Sequence, residues 1–182
     1  MSRMHYASLG CLLLTASFNA HADFYVSGVI SYADLATKDY DVPDGGEYDS
    51  SVAGYGAVGY LTDDILFEAG YLFIDDFEFQ SDALPNTSFS ISGPHAAIGA
   101  QRYLTDSLAL EFRVGAWFWE ADGVYNNIDV GGLDHDVSAT FMADLRWSLS
   151  NNIHLYTEYT HILDGLEGSS INMLGAGLRF TF

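Results

Sequence analysis

Two long stretches of this chain alternate between apolar and more polar side chains, and this alternation constrains the fold more than any other feature. In residues 108–119 the apolar face carries Leu108, Leu110, Phe112, Val114, Ala116 and Phe118. The opposite face carries Ala109, Glu111, Arg113, Gly115, Trp117 and Trp119. Residues 138–149 repeat the pattern, with Phe141 and Trp147 opposed to Asp144 and Arg146. A period of two indicates β-strands with two different faces, and these exceed the usual strand length of about five or six residues.

Two kinds of connection separate such stretches. Short turns rich in Asp, Asn, Ser and Thr, which hydrogen-bond to their own backbone, occur at LTDDI, LTDSL and LSNNI. Longer polar connections occupy residues 37–50, 78–87, 121–134 and 164–169. This spacing predicts eight strands near residues 24–36, 51–61, 65–77, 88–104, 108–120, 135–149, 153–163 and 170–182.

Residues 1–22 have the features of a secretory signal peptide. Arg3 precedes an apolar stretch, and Ala20-His21-Ala22 forms a cleavage site of the small-x-small type. A lipoprotein cysteine at Cys11 is excluded because Ser8 stands where an apolar residue is needed and the apolar run continues past Cys11. We therefore expect one mature domain over residues 23–182, without a cysteine for disulfides, catalysis or metal binding.

The composition points to a membrane protein that crosses the bilayer with strands. Hydrophobic residues make up 49% of the chain, yet after residue 22 no apolar stretch is long enough for a spanning helix. Short turns at one end and long loops at the other are typical of outer-membrane barrels. A bilayer leaves no partner for an open sheet edge, so the sheet must close. We predict an all-β, eight-stranded, antiparallel transmembrane barrel of up-and-down topology, with both mature termini in the periplasm.

The few charges within the strands are predicted to point into the barrel. An arginine on the lipid face at the bilayer midplane costs about 2–4 kcal/mol, and strand parity places the arginines opposite the large apolar side chains. The seven residues predicted to form a lumen charge network are Glu68, Glu111, Arg113, Asp144, Arg146, Glu158 and Arg179. They are expected in one layer, packed by Tyr25, Gln101, Tyr103, Tyr156, Trp117 and Trp119.

An eight-stranded barrel is only wide enough for its own side chains, so these charges must pair. We predict that Arg113 meets Asp144. Arg146 is expected to meet Glu111 or Glu158, and Arg179 to meet Glu158 or Glu68. The lumen is then plugged and conducts little or nothing. Arg102 has lipid-facing parity beside a turn, where it can reach the headgroups, and the glycine-rich strand 51–61 leaves its inward face undecided.

The phrases LTDSLALEFRVGAWFWEAD, VSATFMADLRWSLSNNIHLYTEY and the terminal GLRFTF resemble the barrel domain of OmpA-like outer-membrane proteins. The resemblance covers nearly the whole mature chain and implies the barrel domain alone, without the family's peptidoglycan-binding domain. It also implies that the last strand is an assembly signal read by the barrel-insertion machinery, carried by Leu178, Phe180 and Phe182.

In this family a comparable lumen cluster is associated with gating. Glu68, Arg113 and Glu158 fall on family lumen-charge positions. The family's lysines, however, correspond to Val29 and Gly99, its strand-6 glutamate to Arg146 and its strand-7 arginine to Tyr156. Because the arginine has changed strands, the gate is not carried over, and a structural role for the network is favoured.

No catalytic, cofactor or metal site is predicted. The histidines of the mature domain are His95, His135, His154 and His161, and most of them are expected in loops or interfaces. His154 and His161 share a strand but have opposite parity, so they cannot bind one metal ion. The first long loop resembles a calcium loop only loosely, because Pro43-Asp44 breaks the spacing of its acidic residues. The acidic loops favour a solvated surface, with weak sharing of the divalent cations that bridge lipopolysaccharide as the alternative. With 25 acidic and 6 basic residues the chain is not a nucleic-acid binder.

These features favour a non-catalytic outer-membrane barrel with a structural role in envelope integrity. Its expected partners are outer-membrane lipid, lipopolysaccharide and the insertion machinery, and it is expected to be a monomer. The first alternative is a surface adhesin, host-interaction protein or serum-resistance factor acting through its extracellular loops. The second is a lipid-modifying outer-membrane enzyme, for which neither a His-x-Ser pair at His161 nor a helix before the first strand is present.

Overall fold

The computed structural model describes residues 23–36, 47–48, 50–62, 64–80, 87–125, 128–166 and 169–182. Within these ranges the strands are β1 (Asp23–Ala36), β2 (Glu47–Tyr48), β3 (Ser51–Leu61), β4 (Ile65–Gln80), β5 (Thr87–Tyr103), β6 (Leu108–Tyr125), β7 (Ile128–Ser148), β8 (Ile153–Leu166) and β9 (Ser169–Thr181). The predicted signal peptide and most of the predicted calcium-like loop lie outside the described residues. No helix in the described part of the chain is long and apolar enough to cross a membrane.

The strands form one closed antiparallel sheet, as predicted. Their order is β2-β4-β3-β1-β9-β8-β7-β6-β5, and β5 pairs back onto β4. The two-residue strand β2 continues β3 along β4, because Tyr48 pairs with Phe79 in the register in which Ala53 pairs with Ile74. The wall of the barrel therefore consists of eight strands, with β2 and β3 counted as one, connected in up-and-down order. We call the end with the three short turns and both described termini the turn end, and the opposite end the loop end.

The strands are staggered around the barrel. Following Cα partners from Glu111 on β6 leads around the wall and back to β6 at Ala121, ten residues further along the strand. Such a stagger goes with strands strongly tilted to the barrel axis. As a result, side chains that are not cross-strand partners meet inside the lumen, as Glu68 of β4 and Arg113 of β6 do.

The two faces of the wall separate as parity predicts. Phe112 and Trp147 point outward and are 55% and 56% exposed, whereas Arg113 and Arg146 beside them are 2% and 3% exposed. Strand β3, whose inward face the sequence left undecided, turns its odd residues inward, with Tyr55 buried. The outer surface thus presents an apolar belt, and the charged side chains of the strands lie inside.

The strands extend further toward the loop end than predicted. The predicted loop 121–134 is largely a hairpin, because β6 continues to Tyr125 and β7 starts at Ile128. Register shifts lie between Ala121 and Asp122 and between Gly123 and Val124. Each bulge exchanges the inward and outward faces, which hides the alternation from a parity count. A further shift between Ile74 and Phe77 lets β4 continue to Gln80, into the predicted loop 78–87.

Candidate functional site

The lumen charge network lies in the turn-end half of the barrel and divides into two groups. The first group surrounds Arg113, whose Nη1 donates to Glu68 and whose Nη2 donates to Asp144. The same Nη2 donates to Glu158 Oε2 at 2.5 Å. All four side chains are 0–1% exposed. The predicted pair of Arg113 and Asp144 is present, and two further carboxylates share the same guanidinium.

A glycine on the neighbouring strand makes room for this arginine. Gly99 on β5 pairs with Arg113 on β6 and faces the lumen. A Cβ placed on Gly99 would lie 2.6 Å from Arg113 Cγ, too close for any side chain. A side chain at position 99 would therefore displace Arg113 from its place in the first group.

The second group centres on Glu111, which lies closer to the turn end. Its Oε1 accepts a hydrogen bond from Arg146 Nε at 2.6 Å and one from Arg179 Nη1 at 2.8 Å. Arg146 Nη2 also donates to Gln101 Oε1 at 2.8 Å. The predicted pair of Arg146 and Glu111 is present. The predicted partner of Arg179, Glu158 or Glu68, is wrong, because Glu111 from β6 is the carboxylate within reach of its guanidinium.

Tyrosines complete the two groups. Arg179 lies over the Tyr25 ring, with its Cζ 4.3 Å from the ring centroid, and Tyr25 donates to Glu68 Oε2 at 2.8 Å. Tyr55 donates to Glu68 Oε1, also at 2.8 Å. These contacts place hydrogen-bond donors on a carboxylate that is fully buried, where an unsatisfied charge costs several kcal/mol (about 3–5). Tyr25 was predicted here, whereas Tyr55 was missed because the inward face of β3 was undecided.

The formal charges of the groups have opposite signs. The first group has one arginine and three carboxylates, and the second has two arginines and one carboxylate. Glu111 and Asp144 are direct cross-strand partners, so the groups are neighbours. The excess negative charge of the first group therefore lies next to the excess positive charge of the second. Their attraction offsets part of the free-energy cost of burying either group alone.

A hydrogen-bonded chain leads from the first group toward the loop end. Tyr55 gives its proton to Glu68, so His95 Nδ1 must donate to the Tyr55 oxygen, 3.1 Å away. His95 Nε2 then accepts from Thr140 Oγ1 at 2.8 Å. The contacts thus assign one neutral tautomer to His95. His95, within the predicted strand 88–104, is thus not one of the histidines expected in loops or interfaces, since it is 2% exposed inside the lumen. Its parity on β5, the same as that of Gln101, could have located it.

Apolar side chains fill the lumen above the charges. This loop-side apolar cluster comprises Ile74, Phe77, Phe89, Ile91, Trp117, Trp119, Ile162 and Ile171, each at most 5% exposed. Its polar atoms are satisfied: Trp119 Nε1 donates to Ser138 Oγ, which donates to the Asp164 carbonyl, each at 2.8 Å. Trp117 and Trp119 were predicted to fill the lumen around the charges. Both are buried in the lumen, as members of the loop-side apolar cluster.

One prediction about the turn end needs correction. Tyr103 was expected inside the lumen, but it is 53% exposed and only its ring approaches Arg146, at 5.6 Å from centroid to Cζ. His154, on the predicted strand 153–163, is buried, with Nδ1 3.1 Å from Arg146 Nη1. Tyr103 lies where the barrel opens, so its inward parity does not bury it, whereas His154 is buried as its parity with Tyr156 and Glu158 indicates.

The outer surface of the last strand carries the predicted assembly-signal residues. Leu178, Phe180 and Phe182 are all exposed, and the Phe182 amide donates to the Phe24 carbonyl at 2.9 Å. Their role as an assembly signal stays a prediction. Among the described residues, no group of three His, Cys, Asp or Glu side chains is placed to hold a metal ion.

Comparison with known proteins agrees with this architecture. The sequence profile of the OmpA-like transmembrane domain matches residues 19–168. Neisserial surface protein A (NspA) superposes with a TM-score of 0.70 at 15% identity, covering 87% of this chain and 97% of that chain. OprG of Pseudomonas aeruginosa superposes with a TM-score of 0.59 at 10% identity, covering 88% of this chain and 96% of the other.

Ail, the attachment invasion locus protein of Yersinia pestis, superposes with a TM-score of 0.56 at 13% identity, covering 88% of this chain and 97% of that one. At these identities the likeness concerns the fold alone. Among proteins with curated descriptions, none matches this sequence. The profile match extends over most of the chain and agrees with its closed barrel, so this protein belongs to the family of OmpA-like transmembrane domains, the small β-barrels of the outer membrane.

Proposed function

We propose that this protein is a non-catalytic, structural barrel that contributes to envelope integrity and whose lumen is closed to solutes. The observation that carries the proposal is the filling of the lumen by two layers in series. The lumen charge network occupies the turn-end half and the loop-side apolar cluster occupies the other. A barrel packed with its own side chains has no room for a permeating molecule.

The proposal includes an orientation in the membrane. The short turns and both termini of the mature domain face the periplasm, after removal of residues 1–22, and the loop end faces outside. The exposed apolar belt contacts lipid and lipopolysaccharide, and the barrel functions as a monomer. The barrel-insertion machinery binds the last strand through Leu178, Phe180 and Phe182.

Two measurements test the structural role. In planar bilayers the purified protein is expected to show no sustained conductance, and regular open channels would contradict a sealed lumen. A deletion strain is expected to become more sensitive to detergent and to antibiotics that the outer membrane excludes. Complementation with the wild-type gene should restore resistance, and so should a variant with the β6–β7 hairpin shortened, because the proposed role resides in the barrel wall.

A second candidate function is favoured by the hairpin itself. β6 and β7 pair as far as Tyr125 and Ile128, although β7 pairs with β8 only from Thr140 onward. The β7 side of the hairpin therefore extends past its pairing with β8 at the loop end, while β6 stays paired with β5 as far as Val124. This β7 edge, unpaired among the described residues, is suited to contact with another surface. Adhesion or serum resistance that is lost on shortening residues 121–134, with envelope resistance unchanged, would support this second role.

The charge of the loop end limits the choice of such a partner. Ail has been solved in complex with the heparin analogue sucrose octasulfate. In this chain the exposed acidic side chains of the described loop end are Asp34, Asp75, Asp76, Glu78, Glu120, Asp122, Asp134, Asp136 and Asp164. Like charges repel across an interface, so a sulfated polyanion is not a partner we propose here. Weak divalent-cation binding at this surface would appear as a magnesium-dependent gain in stability.

A further inference from the structure

A small cavity opens at the turn end, directly below the second charge group. It has a volume of about 250 Å³ and is lined by Arg146, Arg179, His154, Ser148 and Thr181. We call it the turn-end vestibule. Under the orientation proposed above it opens to the periplasm. Ligand binding in the vestibule would not require a structural role for the barrel.

The buried part of the vestibule wall carries an excess of positive charge, whereas its exposed rim carries carboxylates. Arg146 and Arg179 both donate to one oxygen of Glu111, and the side chains of all three are at most 4% exposed. Two guanidinium groups are thus matched by one carboxylate. Arg179 also has two donor atoms, Nε and Nη2, without a hydrogen-bond partner among the described residues, although it is only 1% exposed. Buried donors of this kind normally have a partner.

The hydrogen bonds of His154 add a further free donor. Arg146 Nη1 can only donate, so His154 Nδ1, 3.1 Å away, is the acceptor. The ring proton is therefore on Nε2, which donates to Thr181 Oγ1 at 3.1 Å. Because Thr181 Oγ1 accepts this bond, its own hydroxyl proton is available to another acceptor. Among the described residues of the second charge group, the unpaired buried donors, Arg179 Nε and Nη2, outnumber the one unpaired acceptor, Glu111 Oε2. The vestibule thus combines free donors with buried positive charge.

We propose that the turn-end vestibule binds a small oxyanion, such as inorganic phosphate or a compact carboxylate. Guanidinium groups bind oxyanions through short, charge-assisted hydrogen bonds, and their planar fork suits two oxygens at once. The volume admits an ion of this size but not a nucleotide or a sugar phosphate chain. Asp23 and Asp106 also line the opening. They are solvent-exposed, so salt screens them far more than the buried arginines.

The direct test is a titration of the folded protein in detergent micelles with inorganic phosphate, followed by NMR of the His154 ring and the Arg179 guanidinium. Chloride at matched ionic strength is the control. Saturable shifts of both groups with phosphate, and none with chloride, are expected. Equal responses to the two salts, or no response, would show that the vestibule holds water only and would overturn the proposal.

A variant tests the site independently. In Ser148→Asp the new carboxylate lies in the vestibule beside His154, where it competes with the anion. Phosphate affinity is expected to fall by about ten-fold or more, the effect of losing one charge-assisted interaction. The matched control is Ser107→Asp on the exposed turn between β5 and β6, which adds the same charge outside the vestibule and should leave affinity within about two-fold.

Unchanged phosphate affinity in the folded Ser148→Asp protein would contradict the proposal. If that variant fails to fold, the wild-type titration alone decides between an oxyanion site and a water-filled vestibule. Titration with acetate beside phosphate distinguishes the two anion sources. A site that saturates with acetate alone would identify the ligand as a carboxylate.

Discussion

The two halves of the lumen close the same tube with opposite chemistry. The turn-end half is closed by charges that neutralise one another, and the loop-end half is closed by apolar side chains packed as in a soluble protein core. The apolar half depends on packing, and deleting one methyl group costs its transfer free energy and the small cavity that it leaves, without exposing a charge. The charged half depends on completeness, because a single missing partner leaves an uncompensated charge away from water. The halves should therefore differ sharply in their tolerance of substitution.

The largest effect is expected at the centre of the first charge group. Arg113→Met removes the single cation that three buried carboxylates share. We expect a loss of about 3–5 kcal/mol in the free energy of unfolding, the cost of breaking a buried ion pair from one side. Urea unfolding of the protein refolded in lipid vesicles measures this loss.

A combined variant sharpens the same prediction. Adding Glu68→Gln, Asp144→Asn and Glu158→Gln to Arg113→Met removes every charge of the first group. Much of the lost stability should return because no carboxylate is left without its cation, although the second group keeps its one excess arginine. If the combined variant were less stable than Arg113→Met alone, unpaired buried carboxylates would not be the cause of the lost stability.

The second largest effect is expected in the second group. Glu111→Gln keeps the side-chain shape but takes the one carboxylate from two arginines. The amide oxygen can still accept from both arginines but carries no charge. We therefore expect a loss of about 1.5–3 kcal/mol, the contribution of one hydrogen bond to a charged group, in the same unfolding assay. A loss below about 0.5 kcal/mol, the usual size for a surface substitution, would mean that the arginines find another anion or water there.

A smaller effect is expected in the apolar half. Ile162→Val deletes one methylene from a fully buried side chain of the loop-side apolar cluster. Such changes cost about 0.5–1.5 kcal/mol. Conductance should stay absent, because the neighbouring tryptophans still fill the tube. Measuring stability and conductance on one preparation separates a packing defect from an opened lumen.

The smallest effect is expected at an arginine outside the lumen. Arg102→Gln alters an exposed side chain near the turn end, so the change in unfolding free energy should stay within about 0.5 kcal/mol. This variant is the matched control for Arg113→Met, since both remove one arginine from neighbouring strands. Equal losses in the two variants would mean that net charge, and not pairing in the lumen, governs the stability of this barrel.

Local sequence patterns predicted much of this architecture. Alternation identified the eight strands and the direction of Arg113 and Phe112, because side chains of successive strand residues point to opposite faces whatever the sheet does. The same rule failed where it is locally broken. The bulges near Ala121 and Ile74 exchange the faces, and the small residues of β3 leave little contrast between its two sides. The extended hairpin and the role of Tyr55 were therefore missed.

The sequence by itself determined the strand count, the closure of the sheet and which charges avoid lipid, because each follows from residue period and from the cost of exposing polar groups to a bilayer. Only the tertiary structure decided which charges meet. Arg179 pairs with Glu111 rather than Glu158 or Glu68, and Arg113 reaches Glu68 across the lumen. Those contacts depend on the ten-residue stagger accumulated around eight strands, a property of the closed barrel that no single strand encodes.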